Sequence, residues 1–63
     1  MFETNERLKV LMRENNLNRR QVARLLSVTF VAVNWWLTNK RKMSIQLLEL
    51  LQYKIKDKMN EES

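Results

Sequence analysis

The 63-residue chain contains no cysteine, no histidine, no glycine and no proline. Without cysteine there is no disulfide framework and no thiolate metal site. Without histidine, the usual general base and the usual zinc ligand are missing. The seven carboxylates lie mostly near the two ends and form no motif spacing. These gaps argue against an enzyme, and no cofactor, metal or small-molecule ligand is expected. Hairpins and sheets rely on turn residues that tolerate positive φ, and asparagine is the one such residue available here. An all-helical chain joined by short turns is therefore expected. No apolar run approaches the roughly 18 residues that span a bilayer. The opening MFETNERLKV lacks the basic start and apolar stretch of a signal peptide. A cytoplasmic location with no membrane partner is expected. There is no internal repeat, linker or low-complexity segment, so residues 1–63 read as one small domain.

What the chain does carry is positive charge in one region. The net charge is +5. No Asp or Glu falls between Glu14 and Glu49, and the same span holds Arg19, Arg20, Arg24, Lys40, Arg41 and Lys42. Such an asymmetry suits an anionic partner, nucleic acid or an anionic membrane. Lys54, Lys56 and Lys58 differ, because their spacing spreads them around a helix close to Asp57, Glu61 and Glu62. They read as solvated surface.

Within the basic region, residues 18–37 have the spacing of a helix-turn-helix. Val22, Leu26, Val33 and Trp36 face inward, Ala23 sits where two short helices cross, and Val28 plugs the turn. A first helix is expected to start after Thr4 or Asn5 and to end at Asn15-Asn16, with Leu8, Leu11 and Met12 inward. The second helix has the clearest start. Asn18 is a good N-cap, Gln21 completes a capping box, and Leu17 with Val22 can form a hydrophobic staple. Thr29 is the expected N-cap of the third helix. Val28–Val33 taken alone would read as a strand, but a lone strand cannot satisfy its backbone. Helix is therefore expected over 30–37, capped by Asn39. Ser44 should cap a last helix over about 44–59, with Ile45, Leu48, Leu51 or Gln52, and Ile55 inward. Leu47, Leu50 and Tyr53 lie partly off that stripe and are the candidates for a dimer interface. The polar tail 60–63 should fray. The expected fold is all-α, a compact four- to five-helix helix-turn-helix domain.

If the third helix buries Val33 and Trp36, its other face holds Val31, Asn34 and Thr38, flanked by Phe30 and Trp35. Asn34 can pair bidentately with a base edge, adenine being favoured, and Val31 and Phe30 can meet thymine methyl groups. Trp35 can donate its indole N–H to a phosphate, or it can be a core or dimer residue. For Phe30 the core-or-dimer reading has the edge, because large aromatics are usually buried. Asn18 and Arg19, at the start of the second helix, can clamp a phosphate with the backbone N–H groups there, and Arg20 and Arg24 can assist. Lys40, Arg41 and Lys42 follow the reading helix, where the chain should pass the sugar–phosphate backbone. An ordinary solvated basic face is the plainer alternative for each of these cations.

Residues 7–55, through RLKVLMRENNLNRRQVARLLSV and VAVNWWLTNKRKMSIQLLELL, resemble the Cro/CI-type helix-turn-helix family of phage and bacterial repressors. The resemblance implies that Asn18 and Arg19 are phosphate clamps and that Thr29, Phe30, Val31, Asn34 and Trp35 read bases or line the groove. It implies that Lys40, Arg41 and Lys42 form the backbone-contact loop. Within the family, the size, the Trp35-Trp36 pair and the leucine-rich last helix look like the small anti-CRISPR-associated autorepressors. A phage Cro-like protein fits almost as well. Two departures stand out. Ser27 occupies the turn where the family usually has glycine, and Phe30 and Val31 stand where it is normally polar.

The leading expectation is a sequence-specific repressor that binds double-stranded DNA as a homodimer on an inverted repeat. The alternatives are an antitoxin-like protein-interaction module using Phe30, Val31 and Trp35, and a single-strand or RNA binder that stacks bases on its tryptophans.

Overall fold

A computed structural model of the chain describes residues 2–61, with side chains through Asp57. It contains four helices, α1 (Glu3–Glu14), α2 (Arg19–Leu26), α3 (Phe30–Leu37) and α4 (Ile45–Glu61), and no strand among the described residues. The all-α expectation is met at the lower helix count. Helix α2 packs on α3 and α4, and α1 packs on the same two helices. The core is Leu8, Val22, Ala23, Leu26, Val33, Trp36, Met43, Leu48 and Leu51. Among the described residues, no helix is long and apolar enough to cross a membrane.

The local signals in the sequence account for α2 and α3. The Asn18 Oδ1 accepts from the Gln21 backbone N–H at 2.8 Å, and the Gln21 Oε1 accepts from the Asn18 N–H at 2.8 Å. This closes the capping box. The Thr29 Oγ1 accepts from the Ala32 N–H at 3.1 Å and starts α3. The β-branched and aromatic run is helical because this cap and the burial of Val33 and Trp36 outweigh local propensity.

Three helices end in the same way. Asn16, Ser27 and Asn39 are left-handed, with φ of 53°, 55° and 61°. The next residue's N–H then reaches back five positions in each case: Leu17 to Met12 O at 2.8 Å, Val28 to Ala23 O at 3.0 Å, and Lys40 to Trp35 O at 2.9 Å. This is the Schellman closure, usually built on glycine. A chain without glycine builds it on two asparagines, which tolerate the conformation, and one serine, which does not. The third helix thus has Thr38 as its cap, and the expected capping residue Asn39 is the left-handed residue beyond it. Ser27→Gly should stabilise the domain by about 1 kcal/mol by relieving the left-handed Cβ clash. In thermal unfolding that is a rise of about 4–8 °C; an unchanged midpoint would show that the turn carries no such strain.

Three expectations need correction, and one open alternative is settled. Helix α1 begins at Glu3, before Thr4 and Asn5, because those two side chains do not cap it. They point inward and bond to the segment before α4. Ile45 is 44% exposed rather than inward. It continues the Leu48 line toward the N-terminus but overhangs the edge of the core, where fully buried Met43 takes the apolar position. Of the two residues left open on that stripe, Leu51 is buried and Gln52 is exposed. Helix α4 runs through Asn60 and Glu61, where a frayed tail was expected. Residues 62 and 63, and the Lys58 side chain, lie outside the described residues.

Candidate nucleic-acid interface

The outward face of α3 is the centre of the surface. Val33 and Trp36 are buried, which turns Val31 and Thr38 to the outside and leaves Asn34 half-buried. Val31 is 51% exposed and Phe30 47% exposed. Phe30 is therefore not a core residue of the single chain, and the dimer half of its expectation stays open. It sits in the first turn of α3, beyond the reach of the core layer that Val33 and Trp36 enter. The Thr29 hydroxyl oxygen accepts from the Ala32 N–H, which leaves its proton and one lone pair for a ligand. The Thr38 hydroxyl donates to the Asn34 carbonyl at 2.8 Å.

Phe30 shares an open groove of about 540 Å³ with Met12, Asn18, Arg19 and Arg20. The start of α2 therefore lies beside the start of α3. The capping box uses the N–H groups of Asn18 and Gln21. Those of Arg19 and Arg20 remain at the positive end of the helix. Both arginine side chains are exposed, as is Arg24 one turn on from Arg20. The groove thus combines two guanidinium groups, two helix N–H groups and an aromatic ring.

The far end of α3 carries a second cation. The Arg41 guanidinium carbon lies 4.7 Å from the centre of the Trp35 ring. Trp35 is half-buried beneath it, so it is not a fully buried core residue, and the groove-wall and dimer readings both stay open. Lys40, Arg41 and Lys42 are all exposed. They are not brought to one place. Arg41 turns onto α3, while Lys42 lines a different groove of about 580 Å³, with Phe2, Thr4, Ser44 and Ile45.

The loop carrying these cations is held from inside. The Asn5 Nδ2 donates to the Arg41 carbonyl at 2.9 Å and to the Asn39 Oδ1 at 3.2 Å. The Asn5 Oδ1 accepts from the Met43 N–H at 2.8 Å, and the Thr4 hydroxyl donates to the Met43 carbonyl at 2.6 Å. The sequence reading assigned neither Asn5 nor Met43 a part in this surface. The bonds join residues 34 to 39 positions apart, and no periodicity signals such a pair.

Among the described residues the one ion pair is Glu6–Lys9 at 3.3 Å, so none of the cations named above is directly paired, although Lys42 shares its groove with Glu3. No group of His, Cys, Asp or Glu among them could hold a metal ion. The dimer candidates lie on α4, apart from the α3 face. Leu47 packs partly against the core, which weakens its candidacy, while Leu50 and Tyr53 are 38% and 66% exposed.

No protein-family model, curated protein or solved structure matches the chain.

Proposed function

We propose that the chain is a sequence-specific, double-stranded DNA-binding repressor that reads the major groove with α3 and binds an inverted-repeat operator as a homodimer. The observation that supports this most is the placing of cations at both ends of one exposed helix. An eight-residue helix is about 12 Å long, close to the roughly 12 Å width of the B-DNA major groove. Arg19 and Arg20 stand at the N-terminal end and Arg41 at the C-terminal end, so each can meet one phosphate wall. Between them, Asn34 is the side chain with both an acceptor and a donor for a base edge, and Phe30 and Val31 offer apolar contact to thymine methyl groups. A bound repressor acts in the cytoplasm by occluding a promoter, and it needs no cofactor and no catalytic step. Its kinship in this reading is with the Cro/CI-type repressors.

The exposed Phe30–Val31 pair favours a second reading, an antitoxin-like module that buries this apolar surface against a protein. Salt dependence separates the two. With four or five phosphates met per subunit, log affinity for duplex DNA should fall with log salt at a slope of about −4. Fluorescence anisotropy with a labelled random duplex at several salt concentrations measures it. A slope near zero, or no binding, would sink the DNA reading and favour the protein partner.

A further inference from the structure

Asn5 is fully buried, and a buried carboxamide is an expensive way to fill space. An apolar side chain of the same shape would fill the space but leave the Met43 N–H and the Arg41 carbonyl without their partner. All of the bonding capacity of Asn5 toward the loop is used, and each bond ends within residues 39–43. The Arg41 backbone is thereby fixed on both sides. Its N–H donates to the Trp35 carbonyl at 3.4 Å, and its carbonyl accepts from Asn5. The side chain then lies over the Trp35 ring. Stacking occupies the face of a guanidinium and leaves its in-plane N–H groups open, which are the groups that grip a phosphate bidentately.

We infer that Asn5 is a positioning residue for DNA binding: it shapes the Asn39–Met43 loop so that Arg41 is held ready on Trp35 for a backbone phosphate. This rests on the DNA-binding reading of the α3 surface. A cation already ordered in the free protein loses less freedom on binding. For one long side chain that is worth about three- to tenfold in affinity.

The test is a double-mutant cycle on the full chain, carried out in a Ser27→Gly background to offset the Met43 N–H that truncation leaves unpaired. Asn5→Ala, Arg41→Ala and the double variant are checked for helicity by circular dichroism and titrated onto a random duplex at several salt concentrations. Each single variant should bind about three- to tenfold more weakly, and Arg41→Ala should also lose about one phosphate from the salt slope, which Asn5→Ala largely keeps because the guanidinium remains. The double variant should bind within about twofold of Arg41→Ala, because the two changes remove the same contact. Asn5→Ala in a Lys40→Ala background should still show its full effect. A folded Asn5→Ala with unchanged affinity overturns the inference, as do losses that multiply in the Arg41 pair.

NMR of the DNA-free protein supplies an arm that needs no DNA. The Arg41 side-chain protons should be shifted upfield by the Trp35 ring and should lose that shift in Asn5→Ala. Random-coil Arg41 shifts in the unsubstituted chain overturn the arrangement without any variant. If that chain binds no duplex while the shifts depend on Asn5, the DNA reading fails, and the role assigned to Asn5 falls with it.

Discussion

Replacing Leu50 and Tyr53 together by aspartate should leave a folded monomer whose affinity for a two-half-site operator is lower by about 10²–10⁴-fold. The two residues lie three apart on α4, on the solvent side, and among the described side chains are the large apolar ones it exposes beyond its first turn. A reading head of eight residues makes few base contacts, and half-sites about one helical turn apart match a two-fold protein dimer. Joining two heads makes the second binding event intramolecular, and that gain is what the substitutions remove. Leu47 is left intact because it packs partly against the core. Exposed substitutions of this kind cost little stability, so helicity should persist. Light scattering reports the oligomeric state, and titration onto an operator selected from a random duplex pool, and onto its isolated half-site, reports the affinities. The half-site affinity should hardly change. A wild-type chain that is monomeric at micromolar concentration and binds the operator as one subunit would remove the dimer from the proposal.

The parts of the fold that were legible in the sequence are the ones made within one turn of helix. Asn18 and Gln21 are three residues apart and cap each other; Thr29 caps α3 in one direction, accepting from the Ala32 N–H. The inward set Val22, Leu26, Val33 and Trp36 follows from spacing alone, since side chains three and four apart share a helix face. Periodicity names a face but not what covers it. That is why Ile45 was expected inside, although the buried stripe of α4 starts one turn later at Leu48, and why Phe30 was expected as a core or dimer residue although it is exposed at the open end of α3. The α3 face and the α2 start were legible as a candidate site because each is local. Their meeting in one groove around Phe30 is tertiary. The hold on Arg41 was illegible for a stronger reason. Asn5 looks like a helix cap in sequence, and its partners lie beyond two turns and two helices. Lys40, Arg41 and Lys42 are equivalent as a run of charge, yet the loop sends Arg41 to Trp35 and Lys42 to another groove.

Reading and clamping should separate cleanly between Asn34 and Lys40. Asn34→Ala removes a carboxamide that can make two hydrogen bonds to one base edge. It should weaken operator binding by about 1–3 kcal/mol, which is roughly 5- to 150-fold. Affinity for scrambled duplex should stay within about twofold, because the residue carries no charge and the loss concerns base contacts alone. Lys40→Ala should weaken operator and scrambled duplex alike and reduce the salt slope by about one. Neither change should unfold the domain. Lys40 is exposed, and the structural bonds made at both positions are backbone ones: the Asn34 carbonyl accepts from Thr38, and the Lys40 N–H donates to Trp35. Lys40 also avoids the ambiguity of Arg41, whose truncation uncovers an indole as well as removing a charge. Each variant is titrated onto operator and scrambled duplexes across several salt concentrations, and the ratio of the two affinities is the decisive quantity. If Asn34→Ala keeps the wild-type ratio, the base-reading face does not centre on Asn34. The exposed Phe30 and Val31 would then be better explained as a surface for a protein partner.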